Sequence, residues 1–295
     1  MALRISVLGS FQVLGSSNIR YKFESNKARA LLAYMVIERN QSHSREQLIK
    51  LLWPENPPQS ALGNLRYALA HLRKVIGDAD AQPHYLLINR ESLQFNSLSY
   101  YELDVEVFTD LLQTDEIENL KQAVALYQGD FLAGFPSINS NPFEEWIILK
   151  REQFRRQAIE ALHLISNHYE QAGEYQQVLH YAHRQVELEP WLEEAHQQLI
   201  RALALDGQRS AALAQYETCR RVLANEMNVE PSHETIQLYE TIRDGGLGTP
   251  QPVASDEYER VMRSLVYETE GLAVTVGMIC DALSEGRQAA QWFVY

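Results

Sequence analysis

The chain opens with apolar and polar residues in near-alternation. LRISVLG, FQVLG and IRYKF follow the two-residue period of strands lying on a core, with GSSN as a turn before the third. At Lys27 the period lengthens. KARALLAYMVIE, residues 27–38, carries its apolar positions at helical spacing. SREQLIKLLW predicts a second helix, and Ser44 followed by Gln47 has the spacing of a capping box. Pro54, Pro57 and Pro58 end that helix and separate it from a third, SALGNLRYALAHLRKVIG, residues 60–77. On this third helix Leu62, Leu65, Leu69, Leu72 and Ile76 form one stripe. Asn64, Tyr67, His71 and Lys74 fall on the opposite face, with Arg66 and Arg73 on the flank. Gly77 stands at the left-handed position that closes a helix. YLLIN and SLQF then flank a polar turn at Arg90 and Glu91, the pattern of a hairpin.

Strands, three helices and a hairpin, in that order, predict a winged helix-turn-helix over residues 1–98. In such a module the third helix enters the DNA major groove, and its outward donors meet base edges. Arg90, on the wing, is placed for the neighbouring groove or a phosphate.

From about Leu103 the pattern is almost wholly helical. Gly173 and Gly207 lie 34 residues apart, the tetratricopeptide period, and each is followed by a polar turn, an amphipathic helix and a Glu-Pro pair. The Glu-Pro pairs are 41 residues apart, so the second unit carries an insertion. The fold class is therefore mainly α: an α+β winged helix followed by an all-α tetratricopeptide-like domain over 99–244. Residues 245–256, rich in Gly, Pro and Ser, predict a linker, and 257–295 form a tail of unassigned role.

Charge sharpens this division. The chain carries a net −13, yet residues 1–98 hold 12 Lys and Arg against 7 Asp and Glu, a net +5. The remainder holds 14 against 32. A basic half points to nucleic-acid contact. No apolar run approaches the ~20 residues of a membrane helix, and the start lacks the pattern of a signal peptide. Two cysteines, Cys219 and Cys280, make no disulfide framework, which fits a reducing cytoplasm. His180 and His183, with His163 and His168 upstream, are too few converging ligands for a metal centre, and no cofactor motif occurs. Neither G-x-S-x-G nor HExxH is present, and the acidic pairs Glu144–Glu145 and Glu193–Glu194 diverge on a helix, so no catalytic site is read. Tyr127, Phe131, Trp146, Tyr169, Tyr175 and Trp191 read as helix-packing residues.

Several segments, taken in order, resemble the antibiotic-regulatory-protein (SARP) family of bacterial activators. They include LRISVLGSFQV, KARALLAYM, SREQLIKLLWPENPP, LRKVIG, LDVEVF, YQGDFLAGF, FEEWIILKRE and NVEPSHETIQLYETI. The resemblance covers roughly residues 1–244. Asn228 departs from it, standing where the family usually has Gly; Asn tolerates the same left-handed conformation. No G-x-x-x-x-G-K-[ST] marks the ATPase module of larger members. The resemblance implies a DNA-binding activator, dimeric on promoter direct repeats, that recruits RNA polymerase through its sigma factor. It implies that Asn64, Tyr67, His71 and Lys74 read bases, and that Arg45, Arg66, Arg73 and Arg90 serve phosphates or the wing. Arg45 would hold a phosphate together with the N-terminus of the second helix. The competing readings are a tetratricopeptide-type scaffold whose winged helix binds protein, and a ligand sensor using the concave helical surface.

Overall fold

A computed structural model of the chain describes residues 3–247, apart from 16–17 and 115. Most of the expected linker, the tail at 257–295 and Cys280 lie outside the described residues.

Strands β1 (Leu3–Ser6) and β2 (Gln12–Leu14) pair antiparallel. The third expected strand, IRYKF, contributes a single bridge, Leu14 to Arg20. It then leaves the sheet because Tyr21 and Phe23 turn to pack on the core. Helix α1 (Asn26–Ile37) is capped by the Ser25 hydroxyl, which accepts the Ala28 N–H. The two-residue β3 (His43–Ser44) leads into α2 (Arg45–Leu52), where the capping box forms in full. Ser44 Oγ accepts the Gln47 N–H at 3.1 Å, and Gln47 Oε1 accepts the Ser44 N–H at 2.8 Å. Helix α3 (Pro58–Ile76) begins on a proline and ends at Gly77, whose φ of 66° is the left-handed cap the sequence predicts. Strands β4 (Leu86–Ile88) and β5 (Ser92–Phe95) form the hairpin, and β3 pairs with β5 to complete a second sheet in the order β3-β5-β4.

The first sheet closes beyond residue 98. Strand β6 (Tyr101–Leu103) pairs parallel with β1, giving the order β2-β1-β6. Asp104 then accepts the Val7 and Leu8 N–H groups at 2.7 and 2.9 Å. Seven helices follow: α4 (Asp104–Leu111), α5 (Ile117–Leu126), α6 (Asn141–Ala172), α7 (Tyr175–Leu188), α8 (Glu193–Leu205), α9 (Arg209–Val222) and α10 (His233–Arg243), counted among the described residues. Successive helices from α6 to α9 pack each against the next, the arrangement the repeat predicts.

One hydrophobic core runs from β1 and α1 through α3 into Phe108, Tyr127, Phe131, Phe143 and Phe154. Across the same seam, Leu132 donates to the Val7 carbonyl at 2.8 Å and Trp146 Nε1 donates to Glu38 Oε1 at 2.9 Å. Burial pushes the Glu38 carboxyl up, but the Trp146 N–H and the Lys150 ammonium at 3.0 Å more than offset this and hold it below the ordinary range. The helical part is thus packed directly onto the winged helix.

Candidate nucleic-acid interface

Helix α3 is anchored by Leu65, Leu69, Leu72 and Ile76, all buried, with Leu62 half-buried against the same core. Ala61 and Ala68 let α3 sit close to its neighbours. The opposite face stands free. Asn64, Arg66, Arg73 and Lys74 are exposed, and Tyr67 is 71% exposed. Between them lie Gly63 and Ala70, also exposed, and beyond the helix's own nearby backbone and Gly63's chain neighbours nothing among the described residues stands within 4 Å of where a Cβ on Gly63 would be. Gly63 and Ala70 leave the face low beside Tyr67 and Lys74, so an approaching groove can meet backbone there. His71 is placed differently from the other three. It is half-buried, its ring lies edge-on to Phe23 at 6.5 Å, and its Nε2 is buried with no hydrogen-bond partner among the described residues.

The wing is fixed to α2. Asn89 Oδ1 accepts the Glu91 and Ser92 N–H groups at 2.9 and 2.6 Å, closing the turn from within. Arg45 reaches across to it: Nε donates to the Arg90 carbonyl at 3.1 Å and Nη2 to the Asn89 carbonyl at 3.0 Å. The Arg45 backbone N–H donates to the Glu91 carbonyl at 3.0 Å. The N-terminus of α2, expected to meet a phosphate, therefore already spends three donors: Ser44 and Gln47 on the capping box and Arg45 on the wing. Phosphate contact at this point falls to side chains.

Those side chains converge. Arg45, Arg66, Arg73 and Arg90 together line one open cavity of about 390 Å³, floored by Leu69 and Ala70. Arg73 Nε is held by Asp78 Oδ2 at 2.9 Å, and Asp78, 1% exposed, also accepts the Leu86 N–H at 3.0 Å. Asp78 thus ties α3 to the wing, a role its place directly after the helix-ending Gly77 only hints at. Arg66 and Arg90 have no ion-pair partner among the described residues. A guanidinium presents a planar fork that matches phosphate oxygens two at a time. The major groove, about 12 Å wide, admits a helix with its side chains.

The histidines do other work. His163 accepts or shares hydrogen bonds with Asn167 and Gln198, at 2.9 and 3.2 Å. No group of three His, Cys, Asp or Glu among the described residues is arranged to hold a metal ion. Cys219 is buried, which pushes its thiol up to about 12 and leaves it unreactive. Among the aromatic residues, Tyr127 and Phe131 are fully buried, while Trp191 is 38% exposed and donates its indole N–H to Glu189.

Residues 24–92 match the family described as "Transcriptional regulatory protein, C terminal", and residues 103–243 match "Bacterial transcriptional activator domain". These are, in order, the two domains of the SARP-type transcriptional regulators. Regulatory protein AfsR of Streptomyces coelicolor is 28% identical to this chain over 96% of its length, which is 29% of AfsR. Transcriptional regulatory protein MoaR1 of Mycobacterium tuberculosis is 23% identical over 82% of this chain and 79% of its own. The chain spans under a third of the AfsR length it matches. A solved structure described as Mycobacterium tuberculosis EmbR in complex with low affinity phosphopeptide shares the fold. Its TM-score is 0.64 and its identity 20%, over 91% of this chain and 71% of that one. No helix among the described residues is long and apolar enough to cross a membrane.

Proposed function

We propose that this regulator is a sequence-specific activator that binds double-stranded DNA and recruits RNA polymerase, by contact and not by chemistry. The observation that carries the reading is the convergence of Arg45, Arg66, Arg73 and Arg90 in one cavity beside the exposed face of α3. With α3 in the major groove, Asn64 suits an adenine edge and Lys74 a guanine O6 or N7. Tyr67 adds a flat ring and a hydroxyl at the centre. His71 stands at the margin of this set, packed on Phe23. Arg66 and Arg90 grip phosphates, while Arg73 and Arg45 are oriented by Asp78 and the wing turn. The helical part supports pairing of two copies on a direct repeat and contact with the polymerase, its sigma factor included, in the cytoplasm.

Sheared genomic DNA captured at near-physiological salt and sequenced tests this. The wild type is expected to enrich a few sites holding a direct repeat. Tyr67→Ala/Lys74→Ala is expected to lose that enrichment, since each good base contact carries about 1–3 kcal/mol of discrimination. Run-off transcription from an enriched site should then rise when the protein is added. If the wild type enriches nothing above background, the free face of α3 serves a protein partner and the scaffold reading replaces this one.

A further inference from the structure

Away from α3 and the wing, positive charge gathers again. Arg20, Lys22 and Arg29 line an open cavity of about 310 Å³ between β2 and the first turns of α1, and no acidic side chain lines it. None of the three has an ion-pair partner among the described residues. Arg20 and Lys22 lie two apart on an extended segment, exposed, while Tyr21 and Phe23 between and after them pack inward. Arg29 is half-buried, its guanidinium over Phe11 at 5.5 Å and over Phe135 at 5.0 Å. Burial and the neighbouring Arg20 both lower its pKa, so the cations repel one another in partly dry surroundings. An anion placed among them would relieve that repulsion.

The position of the cavity says which anion. Phe23 lines it and touches the His71 ring at 6.5 Å. His71 stands roughly 160° around α3 from Arg73 at 100° per residue, so this cavity borders the flank of α3 opposite the wing. A helix lying along a groove about 12 Å wide has a sugar–phosphate backbone on each side. The arginines of the wing cavity face one of them. We propose that Arg20, Lys22 and Arg29 form a second phosphate clamp, which grips the DNA strand on the side of α3 away from the wing. The proposal rests on the reading of α3 as the helix that enters the groove. It gives Phe135 a positioning role: this residue, from the segment between α5 and α6, supports Arg29 without reaching DNA.

Fluorescence anisotropy of the full chain on a labelled mixed-sequence duplex, across a salt series, decides it. Each phosphate contact adds about 0.9 to the slope of log affinity against log salt. Arg20→Gln/Lys22→Gln should weaken binding and flatten the slope by roughly 2. Arg66→Gln/Arg90→Gln should do the same on the wing side. Lys22→Arg, which keeps the charge, should bind as the wild type, and Phe135→Leu should flatten the salt slope by up to one contact, about 0.9, which a loss of packing alone would not change. Both residues of the first pair are exposed, so their loss leaves the fold intact. A wild-type slope in Arg20→Gln/Lys22→Gln, beside a flattened one in Arg66→Gln/Arg90→Gln, overturns the clamp and leaves the reading of α3 standing. Absence of salt-dependent binding by the wild type overturns both.

Discussion

At the residue scale, the helical part uses several of its scarce cations on carbonyl groups. The last turn of a helix leaves carbonyls without partners and carries partial negative charge. Arg184 donates to the Val124 and Tyr127 carbonyls at the end of α5, both at 2.5 Å. Arg209 caps α10 through the Ile242 and Arg243 carbonyls. Arg151 serves the Phe131 and Leu132 carbonyls, in the segment between α5 and α6, at 2.8 and 3.0 Å. Removing Arg184 as Met would strand two carbonyls, and a loss of about 2–4 kcal/mol is expected in urea unfolding. None of this was legible in the sequence, because the partners lie 57 and 60 residues away from Arg184. Asn228 is the opposite case. Its left-handed conformation was legible from the resemblance, which has Gly at this position, and φ is 55°. Asn228→Ala is expected to cost about 1–2 kcal/mol, and Asn228→Gly close to nothing, by the same measurement.

At the element scale, the repeat explains its own irregularity. Helices α7 and α9 are both 14 residues long. The seven-residue difference between the glycine and Glu-Pro spacings is the segment Leu223–Val229, where a π-helical turn at Leu223–Met227 runs into Asn228. Gly173 and Gly207 were readable as repeat markers because a left-handed cap selects glycine; their φ values are 72° and 78°. What the sequence hid is a polar seam inside the helix stack. Gln185 Nε2 donates to Gln198 Oε1 at 2.9 Å, and Gln198 Nε2 to Asn167 Oδ1 at 2.8 Å. Nearby, His196 is fully buried, with Nε2 at 2.8 Å from the Pro190 carbonyl and Nδ1 at 2.8 Å from Gln215 Nε2. Its ring is therefore neutral: Nε2–H donates and Nδ1 accepts. Burial lowers its pKa below the usual 6.5, against the opposing pull of the Pro190 carbonyl. The unfolded histidine takes up a proton at a pH where the folded one does not. Its contribution to stability is then whole above about 6.5 and is lost as pH falls through the lower folded value. The urea midpoint should drop between pH 7 and pH 5, and His196→Gln should flatten that drop while lowering the midpoint at pH 7.

At the scale of the whole molecule, the local features were legible and the join was not. The faces of α3, the capping box and the hairpin each follow from residues within a few positions of one another. The convergence of four arginines follows in part, since α3 and the wing are adjacent in the chain. The placing of Arg29 beside Arg20 and Lys22 needed the fold, because Phe135 supports its guanidinium from over a hundred residues away. So did the seam. A boundary at residue 98 suits the sequence pattern, but β6 and the Asp104 carboxylate close the first sheet from beyond it. Phe11 and Ile5 share one core with Phe131 and Phe154. A fragment of residues 1–98 is accordingly expected to show no cooperative melt, whereas 1–247 unfolds in one transition followed by circular dichroism. The shared core also fixes charge in space. Residues 1–98 carry a net +5, and residues 99–247, with 11 basic against 25 acidic side chains, a net −14. Joined by that shared core, they give the molecule a lasting electric dipole. In the field of a nucleic acid such a dipole feels a torque before it feels a contact, and it turns its basic end forward. The acidic part thereby raises the share of collisions that arrive correctly oriented, and its influence is written in the association rate more than in the lifetime of the complex.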